Sequence, residues 1–292
     1  MTELTITRHE EDSGRLFSLL DDMIVERGTK ADWDKLHHLH YKAESLPPAP
    51  HFYRCRRRSN GELVAVAVLC AVSLLLAPRH DVLPMLKPGG DTTLTNKHRP
   101  RWLNDNMRRV GRIVTSTMYR GTGVSYRFMN IACRMSGMRY VEIVSSMAKY
   151  NPFDQKAGFK RAPLRRAAAY ESGLKFLRAQ FESHPADQLA LLSEYQSQPK
   201  SVQLMMHKAC AEFYYKNSSR EKTGANLGRT LDDVMADMPM REIMRELNQL
   251  IFGHTVYALY QNPDHKRKLP TRIPLLAFDK QAVDAPLEDT WS

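Results

Sequence analysis

A continuous apolar run, Leu63–Ala77, most constrains how this chain can fold. It has 15 residues rich in valine, alanine and leucine, too few for the roughly 20 residues that cross a bilayer. Ser59-Asn60-Gly61 precedes it, and Asn-Gly supplies the positive φ angles of a tight hairpin turn. The sequence therefore predicts a β-hairpin of two strands, His51–Arg58 and Leu63–Leu76, with the second strand buried in a sheet.

Strand and helix patterns alternate through the first half of the chain. Residues rich in β-branched side chains predict strands, and apolar residues three or four apart predict helices. Residues 77–108 have no clear period and carry proline, glycine and charge, so they are predicted to form a long functional excursion. The other predicted elements are an edge strand over 2–9, a helix capped by Asp32 and running to about Ala43, a strand Arg112–Met118, a helix Ser125–Met138, a strand Tyr140–Ser145, and a short helix opened by Asn151-Pro152 that ends at Gly158.

Beyond residue 163 the pattern becomes helical. Apolar residues recur at helical spacing over Leu164–Phe181, Ser201–Lys216 and Leu231–Tyr260. A basic, proline-containing stretch and an acidic tail follow. The fold class is therefore predicted to be α/β (α+β): a mixed sheet with flanking helices over residues 1–162, followed by an α-helical region over 163–292. That region could form a homodimer, clamp DNA or dock another modification enzyme.

Positive charge is the main compositional signal. The chain has 43 Lys and Arg against 32 Asp and Glu, a net charge of +11. Clustered basic residues favour nucleic acid, most of all DNA, because each phosphate contact releases counterions; a solvated basic face without a ligand is the alternative. Aromatic residues among them suit a flipped base, although a lid over a cofactor is equally open. The predicted nucleic-acid contacts are Arg56, Arg57, Arg58, Lys97, Arg99, Arg101, Trp102, Arg108 and Arg109.

Cysteine and histidine spacing argues against a structural metal. The four cysteines, Cys55, Cys70, Cys133 and Cys210, have no C-x-x-C spacing, which favours a reducing cytoplasm over disulfides or a zinc ribbon. His37, His38 and His40 cluster, but only His37 and His40 share a helix face, so an ordinary polar face is favoured over a metal site. No membrane segment is predicted.

The segment Arg120-Gly121-Thr122-Gly123-Val124-Ser125 is the sharpest chemical signal. It links a predicted strand to a predicted helix. Glycine permits positive φ and a close approach of the backbone to a ligand, and the first amides of a helix attract anions. The segment therefore predicts a diphosphate cradle, while a purely structural turn remains open. It lacks the Gly-Lys-Ser/Thr of a Walker loop and the third glycine of the dinucleotide fingerprint.

The order of these elements resembles the GNAT acyltransferases, whose motif is Q/R-x-x-G-x-G/A. The stretch M-A-K-Y-N-P-F-D-Q-K-A-G-F over 147–159 resembles the M-A-K/R-Y-N-P-F-F-E-K-A-G-M segment of GNAT domains fused to ABC-type ATPases. His40-Tyr41-Lys42, followed by Pro47-Pro48-Ala49-Pro50, and Gly61-Glu62-Leu63-Val64-Ala65 are similar to that family's opening segments. Those domains are related to Mom-type phage enzymes that modify adenine in DNA. The resemblance covers about residues 30–162.

The resemblance implies a GNAT-like splayed sheet and acetyl-CoA or another acyl-CoA as cofactor. The pantetheine arm would lie along Ile113–Thr115, and the diphosphate on the glycine segment. The implied cofactor contacts are Ile113, Val114, Thr115, Arg120, Gly121, Thr122, Gly123, Val124 and Ser125. Many family members use a tyrosine as general acid where this chain has Asp154. The other catalytic candidates are Tyr150, which could instead be a packed aromatic, Asn151, which could instead cap a helix, His40, Tyr41 and Glu142.

Three functions are consistent with these features. The first is acyl transfer to a nucleic-acid base, as in phage DNA hypermodification. The second is acetylation of a small amine or a protein by a GNAT enzyme. The third is nucleic-acid binding without catalysis on a GNAT scaffold, to which the departure at Asp154 lends weight.

Overall fold

A computed structural model describes most of the chain, namely residues 18–40, 46–163, 167–222, 226–253 and 255–288. The chain divides into two compact units. The first contains the residues up to Val144, Asn151–Ala162 and the residues from Tyr257 onward, and the second contains Ser145–Tyr150 and Pro163–Val256. The predicted edge strand over 2–9 lies outside the described residues.

The strands of the described residues form one sheet. They are β1 (Met23–Arg27), β2 (His51–Arg57), β3 (Leu63–Cys70), β4 (Met107–Thr115), β5 (Tyr140–Ser145), β6 (Lys160–Arg161), β7 (Val256–Gln261) and β8 (Arg272–Pro274). Their order is β6-β7-β5-β4-β3-β2-β1-β8. Neighbours from β8 to β4 pair antiparallel, whereas β4 and β5 pair parallel. The mixed α/β sheet is as predicted.

The predicted hairpin is present as β2 and β3, and Gly61 in its turn has a φ of +72°. Strand β3 ends at Cys70, six residues before the predicted Leu76. Seven of its eight residues are buried, because helices cover both faces of the sheet. The unbroken apolar run reflects this two-sided burial.

Two helices provide that cover. Helix α1 (Lys30–Leu36) places Trp33 against Val66 and Val68 of β3. On the opposite face lies α4 (Val124–Met135), whose Phe128 belongs to the same core cluster as the alanines of β3. The predicted helix Ser125–Met138 is therefore confirmed within three residues. Each face of β3 has its own apolar layer.

The prediction for α1 itself is wrong in two details. Thr29 is the N-cap, and Asp32 is its capping-box partner: the Thr29 N–H donates to the Asp32 carboxylate at 2.8 Å. The α-helix ends at Leu36, followed by a 3-10 turn, His37–Leu39. A carboxylate three residues after a threonine is a common arrangement at helix starts.

Strand β4 contains a β-bulge at Gly111. Val68 pairs with Arg112 and Leu69 with Val110, so Gly111 is the extra residue. A Cβ at Gly111 would come within 2.7 Å of Pro47 Cγ and 2.9 Å of Cys70 Sγ. The bulge shifts the side-chain alternation, so that Val110 packs with the α4 layer and Val114 with the α1 layer.

The excursion between β3 and β4 is partly helical. It contains α2 (Ala77–Val82), a π-helical turn Leu94–His98 and α3 (Arg99–Asn106). Leu86 and Leu103 build a small core with Val72 and Met107. Strand β4 begins at Met107, five residues before the predicted Arg112. Arg108 and Arg109 follow Met107 at the start of β4. They interrupt the run of apolar and β-branched residues from which the strand was predicted.

Strand β5 has its predicted bounds. The short helix α5 (Phe153–Lys156) follows, and Gly158 has a φ of +89°, consistent with the predicted helix end. The N-cap of α5 is Pro152, so the interpretation of Asn151 as a helix cap is wrong.

The second unit is helical. Its core contains Leu177, Leu191, Met206 and Leu247. The described helices are α6 (Tyr170–Gln180), α7 (Gln188–Ser197), α8 (Lys200–Asn217), α9 (Ser219–Lys222), α10 (Leu231–Asp237) and α11 (Met240–Phe252). The predicted third helix is broken, because Pro239 has an extended conformation and caps α11.

The end of the chain corrects the predicted domain organisation. The helical region does not continue to residue 292, because β7 and β8 join the sheet of the first unit. Ile24 of β1 pairs with Pro274 of β8, and a 3-10 segment, Leu275–Lys280, contacts α4. In the described residues, no helix is long and apolar enough to cross a membrane.

Candidate active site

The glycine segment has the geometry that the sequence predicts. Gly121 and Gly123 have φ angles of +83° and +81°, and Gly123 is the N-cap of α4. A Cβ at Gly121 would meet no atom within 4 Å. Side chains therefore do not fill the space beside Gly121, and only glycine takes both left-handed conformations without strain.

The backbone amides of this segment have no acceptor among the described residues. In the described part of the chain, no main-chain carbonyl accepts a hydrogen bond from the amides of Gly121–Ser125. The neighbouring Tyr119 and Arg120 amides, in contrast, donate to Ser116 and Thr117 carbonyls. Consecutive unsatisfied amides at a helix start form an anion-binding concavity.

Two arginines hold the segment from either side. Arg120 donates from Nε to the Thr115 carbonyl at 3.3 Å, which links the segment to the end of β4. Arg127 donates from Nη1 to the Gly123 carbonyl at 3.1 Å and from Nε to Asp279 at 2.7 Å. The segment is thus fixed in position while its amides stay open, and the positive charge of Arg120 favours a bound anion.

A gap opens between β4 and β5 beside this segment. The two strands pair at Met107–Tyr140, Arg108–Val141 and Arg109–Glu142 only. β4 continues to Thr115 and β5 to Ser145, and no further pair between them is recorded in the described residues. This divergence leaves one edge of β4 available to an extended ligand.

The predicted cofactor contacts in β4 and the glycine segment differ in how their side chains are placed. Val114 packs in the α1 layer and Val124 is fully buried in the main core, so only their main-chain groups are available to a cofactor. Ile113 is partly buried against the main core. The Thr115 hydroxyl is buried without a hydrogen-bond partner. Thr122 donates its hydroxyl to the Tyr119 carbonyl, and Ser125 is half-buried.

Glu142 is not a base in an open cleft. Its carboxylate is fully buried and accepts hydrogen bonds from both Nε and Nη2 of Arg79, from Nε of Arg109 and from the Tyr257 hydroxyl. Burial and the Glu142 charge raise the pKa of Tyr257, so its phenol stays protonated and donates. Because four donors satisfy its carboxylate, Glu142 has a structural role. It lies where the pairing of β4 and β5 stops and the gap begins.

Asp154 is likewise wrong as a general acid. The carboxylate is buried and receives Nε and Nη2 of Arg161 at 2.7 and 2.6 Å. The Arg161 guanidinium occupies both oxygens of this buried carboxylate, so neither oxygen is open to a substrate.

Four catalytic candidates remain. Tyr150 lies in the second unit, where it is 78% exposed, so the packed-aromatic interpretation is wrong. Asn151 is exposed, and Tyr41 lies outside the described residues. His40 is half-buried at the end of the 3-10 turn, with its ring 6.1 Å from that of Trp33. This turn contacts β4.

The predicted nucleic-acid contacts do not form one free basic surface. Arg56 pairs with Glu26, Arg57 with Asp22 and Arg109 with Glu142. Arg99 is buried, and Arg108 donates to two main-chain carbonyls. Trp102 is not free to stack on a base, because it is half-buried against Tyr140. The exposed cations of the set are Arg58, Lys97 and Arg101.

Sequence reasoning missed the residues that complete these clusters. Arg79 and Tyr257 bind Glu142 from positions 63 and 115 residues away in the chain. Asp279 reaches Arg127 across 152 residues. No local pattern marks such partners, and Arg79 lies in the excursion, which has no clear period.

Comparisons with known proteins give weak similarities only. No protein-family model and no curated protein sequence matches the chain. Among solved structures, a Bacillus subtilis acetyltransferase in complex with CoA has 14% identity over 55% of this chain and 86% of its own, with a TM-score of 0.33. A GNAT family acetyltransferase from Elizabethkingia anophelis with acetyl-CoA bound has 13% identity over 51% and 83%, with a TM-score of 0.32.

A ribosomal-protein-S5-alanine acetyltransferase from Vibrio fischeri has 9% identity over 55% of this chain and 89% of its own, with a TM-score of 0.32. TM-scores in this range do not by themselves establish a fold or an activity.

Proposed function

We propose that this chain is an acyl-CoA-dependent N-acyltransferase of the GNAT type. The observation that carries the proposal is the run of open amides at Gly121–Ser125, positioned by two left-handed glycines at the start of α4. Such a run fits the two adjacent phosphates of coenzyme A. Acetyl-CoA, or another acyl-CoA, is the proposed cofactor.

The gap between β4 and β5 supports the same cofactor. Pantetheine is an extended chain with two amides, and it can pair with the free edge of a strand as a peptide does. The gap begins after Arg109 and Glu142 and runs along β4 toward Thr115, and the glycine segment follows within eight residues. A diphosphate on the segment would leave the arm to lie along β4.

In the proposed reaction, an amine nitrogen attacks the thioester carbonyl of acyl-CoA. A C–N bond forms, the C–S bond breaks, coenzyme A leaves as a thiolate, and the amine loses a proton. Glu142 and Asp154 are not the proposed base, because arginines already occupy the oxygens of both carboxylates. His40, which directly follows the 3-10 turn that contacts β4, is the proposed base, and an imidazole is suited to this task near neutral pH.

The proposed acceptor is an amine on a small molecule or a protein. Ion pairing and burial keep most of the predicted nucleic-acid contacts away from the phosphates of a polymer, and paired surface charges attract polyanions weakly. Incubation with acetyl-CoA and a panel of polyamines and peptides, followed by release of free thiol, tests this acceptor class. The variant His40→Gln should lose most of the thiol-releasing activity but should still bind coenzyme A.

A nucleic-acid base is the second proposed acceptor. The net charge of +11 and the exposed Arg58, Lys97 and Arg101 favour it. Nucleosides from DNA incubated with the protein and acetyl-CoA would then show an added acyl mass. An unchanged nucleoside profile, together with turnover of an amine, would remove this acceptor.

Calorimetry with matched glycine variants tests the cofactor site. Gly121 and Gly61 both have positive φ and open space beside them, so aspartate imposes similar strain at either position. Gly121→Asp adds a negative charge at the proposed diphosphate site and should weaken coenzyme A binding at least about tenfold. Gly61→Asp should bind like the wild type. Equal binding by both variants, or no binding by the wild type, would contradict the proposal.

A further inference from the structure

Arg99 in the excursion is buried, and two of its three side-chain nitrogens have no hydrogen-bond partner in the described part of the chain. The residue is 8% exposed, and its Nε and Nη1 atoms are buried with no hydrogen-bond partner among the described residues. Arginine keeps its charge under all ordinary conditions. A buried, unpaired charge is strongly unfavourable, so this guanidinium is suited to an anion that the folded chain does not supply.

His80 provides a second unpartnered donor in the same region. Its Nε2 atom is buried without a hydrogen-bond partner. Burial, followed by the charges of Arg79 and Arg99, lowers the pKa of His80, with Lys87 acting in the same direction and Asp81 against it. The neutral ring can donate from Nε2 in one tautomer.

The local charge balance is positive. Glu142 neutralises part of the charge of Arg79, which it shares with Arg109. Asp81 is an exposed carboxylate, whereas Arg99 is buried. The region thus combines two buried, unsatisfied donors with an excess of cations, and it is distinct from the glycine segment at the other end of β4.

We propose that Arg99 and His80 bind the phosphate group of a small-molecule ligand. The guanidinium and the imidazole would donate hydrogen bonds to its oxygens, and the ligand would supply the charge that Arg99 lacks. The burial of both groups favours a small ligand over nucleic acid, whose phosphates stay on the surface of the polymer. The site is independent of the proposed coenzyme A site.

Thermal unfolding of the full chain in phosphate or chloride, at equal ionic strength, tests the site. Inorganic phosphate should raise the unfolding temperature of the wild type by at least about 2 °C. Arg99→Met should lose this shift, and in chloride it should unfold no earlier than the wild type, because no paired charge is removed. Arg101→Met is the matched control, since Arg101 is exposed on the same helix, and it should keep the phosphate shift.

The absence of a shift in the wild type, or an equal shift in Arg99→Met, would overturn the proposal. If Arg99→Met fails to fold, the NMR signals of the His80 ring provide the test instead, and comparison with His80→Gln assigns them. Phosphate should shift these signals in the wild type. Unchanged signals would overturn the proposal. Gly121→Asp keeps the phosphate response if this site is real, so loss of coenzyme A binding alone does not affect the inference.

Discussion

The glycine segment and the buried carboxylates of Glu142 and Asp154 are all functional candidates in the sequence, yet the structure treats them in opposite ways. At Gly121–Ser125 the main-chain donors have no internal acceptor. At Glu142 and Asp154, arginines satisfy the carboxylate oxygens from within the chain. Polar groups that the fold satisfies hold it together, and those that it leaves open are available to a ligand.

Glu142→Gln tests the structural side of this comparison with the largest expected effect. The change leaves Arg79 and part of Arg109 buried without their counter-charge, which should lower the free energy of unfolding by about 3–5 kcal/mol. Urea unfolding measures it. Asp34→Asn, which breaks an exposed pair with Lys30, is the control and should change stability by less than about 0.5 kcal/mol. Wild-type stability with lost activity would instead mark Glu142 as catalytic.

Gly111→Ala tests the bulge that separates the two apolar layers. The added Cβ would clash with Pro47 and Cys70, and such overpacking costs about 1–3 kcal/mol. Denaturant unfolding should show this loss. Gly90→Ala, where a Cβ meets no atom within 4 Å, should be close to neutral. A variant as stable as the wild type would show that the strand does not need glycine there.

Glu26→Gln tests a smaller, pH-dependent effect in β1, where the buried Glu26 pairs with Arg54 and Arg56. Burial raises the pKa of Glu26, but the hydrogen bonds and charges of Arg56 and Arg54 outweigh it and leave the pKa below its ordinary value of 4.5. The pairing therefore stabilises the fold above pH 4.5 and is lost as the pH falls through the lowered pKa. Between pH 6 and 3, the free energy of unfolding should fall less steeply with decreasing pH in Glu26→Gln than in the wild type. An equal fall in both proteins would refute the pairing.

Local patterns predicted the local parts of the fold. Asn60-Gly61 marked the hairpin, the helical spacing after Gly123 marked α4, and β-branched residues marked β5, because each depends on residues close in sequence. The glycine segment was predicted for the same reason. Its open amides follow from the conformation of a few consecutive residues.

Long-range pairing was not predictable in this way. β7 and β8 join a sheet whose other strands lie far earlier in the chain, and the apolar spacing of Leu231–Tyr260 is the same whether its end is helix or strand. The roles of Glu142 and Asp154 depended on where arginines lie in space. A carboxylate in a strand has the same sequence signature whether it is a base or half of a buried ion pair.

Hydrogen exchange of the segment 119–127 tests the central claim most directly. With excess coenzyme A, we expect the amides of Gly121–Ser125 to exchange several-fold more slowly, because phosphate oxygens would accept their hydrogen bonds. The hairpin turn at Gly61 should exchange at the same rate with and without coenzyme A. Unchanged exchange at Gly121–Ser125 under saturating coenzyme A would contradict the claim that these amides bind its diphosphate.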